Sequence, residues 1–136
     1  MRRVFREVAI IAVLALLPAL VSGAVQLKWR TVSPPKEGEV SPALAKQWGE
    51  KVLWVDARSR AKFERKSIPG AVPLNVEEWE GLVAKFLDAW DPDKATVVYG
   101  DGSGDNALQV AQRLKEELKL EGVWILQGGW DAWTQQ

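Results

Sequence analysis

Three short, unbroken apolar runs constrain this chain more than any other feature: Val52-Leu53-Trp54-Val55, Thr96-Val97-Val98-Tyr99 and Val123-Trp124-Ile125-Leu126. They do not alternate between apolar and polar residues, and they are rich in β-branched and aromatic side chains. This pattern predicts strands covered on both faces. Helical patterns lie between them. Trp79, Leu82, Val83, Phe86, Leu87 and Trp90 recur at three and four, with Asn75 and Glu78 placed to cap the start and Asp91-Pro92 to end the helix. Ala107, Ala111, Leu114 and Leu118 form a second stripe, with Asp105 or Asn106 as the cap and Gly122 as the closing residue. Ser41 caps a short helix through Lys46. Strands alternating with helices imply an α/β fold, an open parallel sheet with helices on both faces.

The first residues follow a different rule. Arg2, Arg3, Arg6 and Glu7 precede a run without charge, residues 8–27. About 20 apolar residues suffice for a helix to cross the hydrocarbon layer, and flanking arginines keep their end cytoplasmic. Residues 1–27 are therefore expected to be a membrane anchor with the remainder on the periplasmic, extracytoplasmic side. The alternative is a cleaved signal peptide ending near Ser22-Gly23-Ala24, with Pro18 breaking its helix and the domain released to the periplasm. The run continues past Ala24 to Leu27, which favours the anchor. A buried core helix fits less well, because the run is apolar on every face and follows a basic cluster. Residues 28–36, with Ser33-Pro34-Pro35, read as a short stiff spacer, and residues 37–136 as the domain.

Composition removes most chemistries. Eighteen basic and 18 acidic residues cancel, which argues against nucleic-acid binding through bulk positive charge. There is no cysteine and no histidine. That excludes disulfides, thiolate nucleophiles, imidazole bases and the commonest metal ligands.

In open parallel sheets, ligands bind outside the carboxyl ends of the strands. Two loops qualify. One follows Val55 and carries Asp56 and Arg58. The other follows Tyr99 and reads Gly100-Asp101-Gly102-Ser103-Gly104-Asp105-Asn106. The sequence around them, Asp56-Ala57-Arg58, then Ser67-Ile68-Pro69-Gly70-Ala71, Val98-Tyr99-Gly100 and Gly128-Gly129-Trp130, resembles the rhodanese-like domains in order and spacing over about residues 37 to 134. The resemblance implies an open parallel sheet of about five strands with helices on both faces. It also implies sulfur transfer through a cysteine persulfide at the first loop position, which in this sequence is Gly100. Ser67 stands where the family has a histidine usually read as structural. Related phosphatases and arsenate reductases on the fold also attack through cysteine, so they are excluded with it.

Other features have simpler readings. Asp101, Ser103 and Asp105 resemble the start of a calcium loop, but position twelve is Gln112 where a bidentate Glu is required. A glycine-rich turn with Asp105 capping the next helix explains them, and neither metal nor cofactor is expected. Asp101 and Asp105 add negative charge, and no arginine lies between Gly100 and Ala111, so the loop is expected to disfavour thiosulfate or phosphate. Asp56 and Arg58 are expected to form a structural ion pair, because nothing near them is a nucleophile. Glu77, Glu78 and Glu80 suit a helix N-terminus. Trp54, Trp79, Trp90 and Trp124 fall at core positions, and Trp29 at a membrane interface.

The expectation is thus a membrane-anchored or exported rhodanese-like domain without catalysis of its own. It would act as a binding or scaffold module whose partner is another protein, with Gly100–Asn106, Asp56 and Arg58 as the binding-loop candidates. Two alternatives stand beside it: sulfurtransferase activity using a partner's thiol, and a metal-binding loop at Asp101–Asp105.

Overall fold

The computed structural model of the chain describes residues 37–102 and 105–136. The expected anchor and spacer, Trp29, Ser103 and Gly104 lie outside them. Among the described residues no helix is long and apolar enough to cross a membrane.

Five strands form one parallel sheet: β1 (Glu39–Val40), β2 (Val52–Asp56), β3 (Val72–Pro73), β4 (Ala95–Tyr99) and β5 (Val123–Leu126), in the order β1-β5-β4-β2-β3. The three apolar runs are the three central strands. β2 and β4 run in register from Val52 opposite Ala95 to Asp56 opposite Tyr99, and β4 pairs with β5 from Thr96 opposite Val123. The two-residue strands sit at the edges, where the missing N–H of Pro73 does no harm.

Among the described residues four α-helices lie between strands, α1 (Pro42–Trp48), α2 (Arg60–Arg65), α3 (Trp79–Ala89) and α4 (Asp105–Glu116), and α5 (Gly129–Thr134) follows β5. Ser41 caps α1, its hydroxyl accepting from the Leu44 N–H at 3.2 Å. Asn75 caps a turn that leads into α3 rather than the helix itself. Its Oδ1 accepts from Glu78 N at 2.8 Å, and α3 begins at Trp79. The α3 stripe is narrower than predicted: Trp79, Leu82 and Phe86 are buried while Leu87 is exposed. Gly122 does not close α4. The helix ends at Glu116, and Lys119 takes the left-handed conformation at φ 55°, with Leu120 N donating to Leu114 O at 3.2 Å. Gly122, also left-handed, instead leads into β5, its carbonyl accepting from Thr96 N.

Alternation along the strands separates two cores. Leu53 and Val55 of β2, Val98 of β4 and Val123 of β5 face α3 and α4, where Leu82, Phe86, Ala107, Val110, Ala111 and Leu114 complete an aliphatic layer. Val52, Trp54, Val97, Tyr99 and Leu126 face the other way, against Ala45 and Trp48 of α1 and Trp130 and Trp133 of α5. The second layer is aromatic. Trp54 meets Trp133 edge-on at 4.8 Å, and Trp48 meets Trp124 at 5.7 Å. Asp56 and Tyr99, last residues of β2 and β4, both belong to this second face and bring it to the carboxyl end of the sheet.

Candidate functional site

Asp56 and Arg58 are buried together, 0% and 3% exposed, at the end of β2. The Asp56 carboxylate accepts from the Arg58 backbone N–H (2.9 Å), from Arg58 Nε (3.1 Å) and from Arg58 Nη2 (2.7 Å). Tyr99 Oη donates to Asp56 Oδ2 at 2.8 Å and accepts from Ile68 N at 3.1 Å. Arg58 Nη2 also donates to Lys66 O at 2.7 Å. The guanidinium lies 4.3 Å from the Trp130 ring centre, and Trp130 stacks on Tyr99. A buried ion pair is tolerable only when further hydrogen bonds support it, and here the Tyr99 hydroxyl at the end of β4 and the Lys66 carbonyl supply them. Burial opposes the charge on Arg58, but the hydrogen bonds and attraction of Asp56 outweigh it and hold the guanidinium above its ordinary pKa. Burial pushes the Tyr99 phenol well above its ordinary value, and the neighbouring Asp56 adds to the effect. The pair ties the end of β2 to the 66–68 segment and to α5.

The loop after β4 is held from the same side. Trp130 N donates to Gly100 O at 2.9 Å and Asp131 N to Asp101 O at 3.2 Å. This contact explains the paired glycines before Trp130. Gly128 and Gly129 both have positive φ, and a Cβ on Gly129 would lie 2.6 Å from the Gly100 carbonyl oxygen. Only glycine permits so close an approach. Gly100 is closely overlaid: a Cβ there would meet Ala107 N at 3.3 Å, so a side chain would press on the first turn of α4.

Asp101 does not stand as uncompensated negative charge, as the loop's own sequence suggests. Lys62, on α2, donates to Asp101 Oδ1 at 2.7 Å, and Asn106 Nδ2 lies 3.5 Å from Asp101 Oδ2. The positive charge comes from a helix 39 residues away in the chain. Asp105 is the first residue of α4 and is exposed. A Cβ on Gly102 would lie 2.6 Å from Asp131 Oδ2. Among the described residues no group of three His, Cys, Asp or Glu side chains is arranged to hold a metal. Of the calcium-type ligands, Asp101 is engaged by Lys62 and Ser103 lies outside the described residues.

A cleft of about 450 Å³ opens here, lined by Arg58, Lys62, Arg65, Lys66, Asp101, Trp130 and Asp131. The structure thus joins Asp56, Arg58, Gly100, Asp101 and Asn106 at one end of the sheet. It adds Lys62, Arg65, Lys66, Tyr99, Trp130 and Asp131, which sequence reasoning did not place in the site. The concentration of Lys62, Arg65 and Lys66 within five residues of sequence is the available signal.

The family model for the rhodanese-like domain matches residues 39–136. The chain belongs to the rhodanese-like domain family. Solved structures share the fold. The rhodanese-like domain of an Anabaena protein is 25% identical, with a TM-score of 0.59 over 74% of this chain and 75% of that one. A human single-domain sulfurtransferase is 22% identical, with a TM-score of 0.60 over 73% and 96%. A Rhodopseudomonas palustris protein of unknown function, described as a possible tyrosine phosphatase, is 25% identical, with a TM-score of 0.53 over 71% and 79%. No curated protein matches the chain. None of the 136 residues is a cysteine.

Proposed function

We propose that this rhodanese-like domain performs no sulfur transfer of its own and serves as a binding module, with the cleft between α2, the loop after β4 and α5 as its contact surface. The observation that carries this reading is Gly100. It occupies the first position after β4, beside the first turn of α4, in a chain without any thiol. Persulfide chemistry needs a thiolate, and no other side chain substitutes for it. Around that position the fold keeps its buried Asp56–Arg58 pair and the Gly128-Gly129 approach, so a surface persists where the reaction centre is missing. Arg2, Arg3 and Arg6 ahead of the uncharged run at 8–27 support tethering of the domain at the outer face of a membrane.

The test is a thiosulfate and cyanide assay on the purified full chain, followed by mass spectrometry. No thiocyanate above the buffer rate and no added sulfur are expected. Turnover, or a sulfur-charged form of the unmodified chain, overturns the reading. Recovery of the chain in an alkali-washed membrane fraction tests the tether separately, and its release into the soluble fraction would count against an anchor.

A further inference from the structure

Charge in the cleft is divided between floor and rim. On the floor the cations are committed: Arg58 to Asp56, and Lys62 to Asp101, with Asp131 close by across Gly102. On the rim, Arg65 is the last residue of α2 and Lys66 its C-cap, in extended backbone. Arg65 and Lys66 are exposed, and neither has an ion-pair partner among the described residues. Trp130 is half-buried, stacked on Arg58 below and lining the cleft above.

This division selects for ligand shape. A small oxyanion would have to settle against the backbone amides of the loop after β4. There the Asp131 carboxylate opposes it, and Lys62 is already engaged by Asp101. The uncommitted charge lies outside, on the last residue of α2 and its C-cap, next to an aromatic face. Such an arrangement suits an extended chain that places carboxylates on the rim and an apolar side chain on the ring. A cleft of about 450 Å³ holds a few residues of such a chain. We propose that the cleft docks an acidic, extended segment of a partner protein, with its carboxylates on Arg65 and Lys66 and an apolar side chain against Trp130. The proposal rests on the reading of this domain as a binding module and specifies the chemistry of its partner.

The experiment uses the full chain in non-ionic detergent and a fluorescein-labelled peptide of alternating Glu and Leu, read by anisotropy. Saturable binding is expected, weakening as salt rises. Arg65→Glu with Lys66→Glu should weaken it by about tenfold or more, because both rim charges reverse. Lys85→Glu with Lys94→Glu, exposed lysines on and after α3, should leave it unchanged. A peptide with Gln in place of Glu should not bind. The proposal is overturned by absence of binding, by equal affinity in the rim variant, by equal binding of the Gln peptide, or by displacement with thiosulfate or inorganic phosphate at constant ionic strength. The last result would mark a small-anion pocket. The thiocyanate assay on the same preparation separates the two ideas: turnover defeats the non-catalytic reading whatever the peptide does, and an inert chain that ignores the peptide defeats only the docking.

Discussion

The two faces of the sheet are built on different physics. Under α3 and α4 the layer is mainly aliphatic, and its stability comes from apolar area removed from water, which has no direction. Under α1 and α5 the layer is aromatic and ends in the Asp56–Arg58–Tyr99 cluster, where each contact fixes an angle and a distance. The cleft beside Trp130 opens at the end of the second face. Loops that must hold a surface in one shape are tied down by directional contacts, while the other face supplies bulk cohesion to both.

The contrast predicts opposite responses to paired substitutions. Asp56→Ala strands the buried Arg58 charge and should cost about 4 kcal/mol, read as a shift in denaturant midpoint. Replacing both partners, Asp56→Leu with Arg58→Met, should recover much of that loss, since the unpaired charge goes with them. Leu114→Ala on the aliphatic face should cost about 3 kcal/mol, through lost transfer energy and the cavity left behind. Adding Phe86→Ala should only deepen that loss. A double variant on the polar face no better than its worse single variant would show that the ion pair stabilises in the same way as the aliphatic layer.

Tyr99→Phe is the next largest effect, about 2 kcal/mol, because Ile68 N loses its acceptor and Asp56 loses a donor. It also carries a pH signature. The folded-state pKa of Tyr99 is raised, so the unfolded chain ionises first. The resulting stability is fully present below pH of about 10 and declines above it, by at most about 1.4 kcal/mol per pH unit. Tyr99 is the only tyrosine, so the near-ultraviolet tyrosinate band reports it alone. The gap in stability between wild type and Tyr99→Phe should narrow as pH rises through this range. A constant gap would mean that the phenol ionises alike in both states.

The same contrast governs what was legible in the sequence. Val52–Val55, Thr96–Tyr99 and Val123–Leu126 announced themselves because burial on both sheet faces demands unbroken apolar runs. α3 and α4 followed from their stripes. β1 and β3 did not, because two residues carry no period and Pro73 argues against a strand. α2 did not, because Arg60–Arg65 has no buried residue and hence no stripe. Glycine is the residue expected to close a helix, which points to Gly122, but the left-handed position after α4 falls on Lys119, three residues earlier. In the site, Asp56, Arg58 and Gly100 were found because the ends of strands are where such sheets bind. The Lys62–Asp101 contact was not, because local spacing does not show which loop supplies charge to another.

The smallest effect lies on the aliphatic face and has the opposite sign. Thr96 is 1% exposed, paired in register with Leu53 and Val123, and its Oγ1 has no hydrogen-bond partner among the described residues. A buried hydroxyl left unpaired incurs its desolvation cost without return, and valine has nearly the same shape and at least equal strand preference. Thr96→Val should therefore stabilise the fold by about 1 kcal/mol, with an unchanged denaturant slope. On the polar face an analogous loss of oxygen, Tyr99→Phe, destabilises. If Thr96→Val also destabilises, its hydroxyl makes a bond in solution, and the division of the core into an undirected face and a directed one fails at that residue.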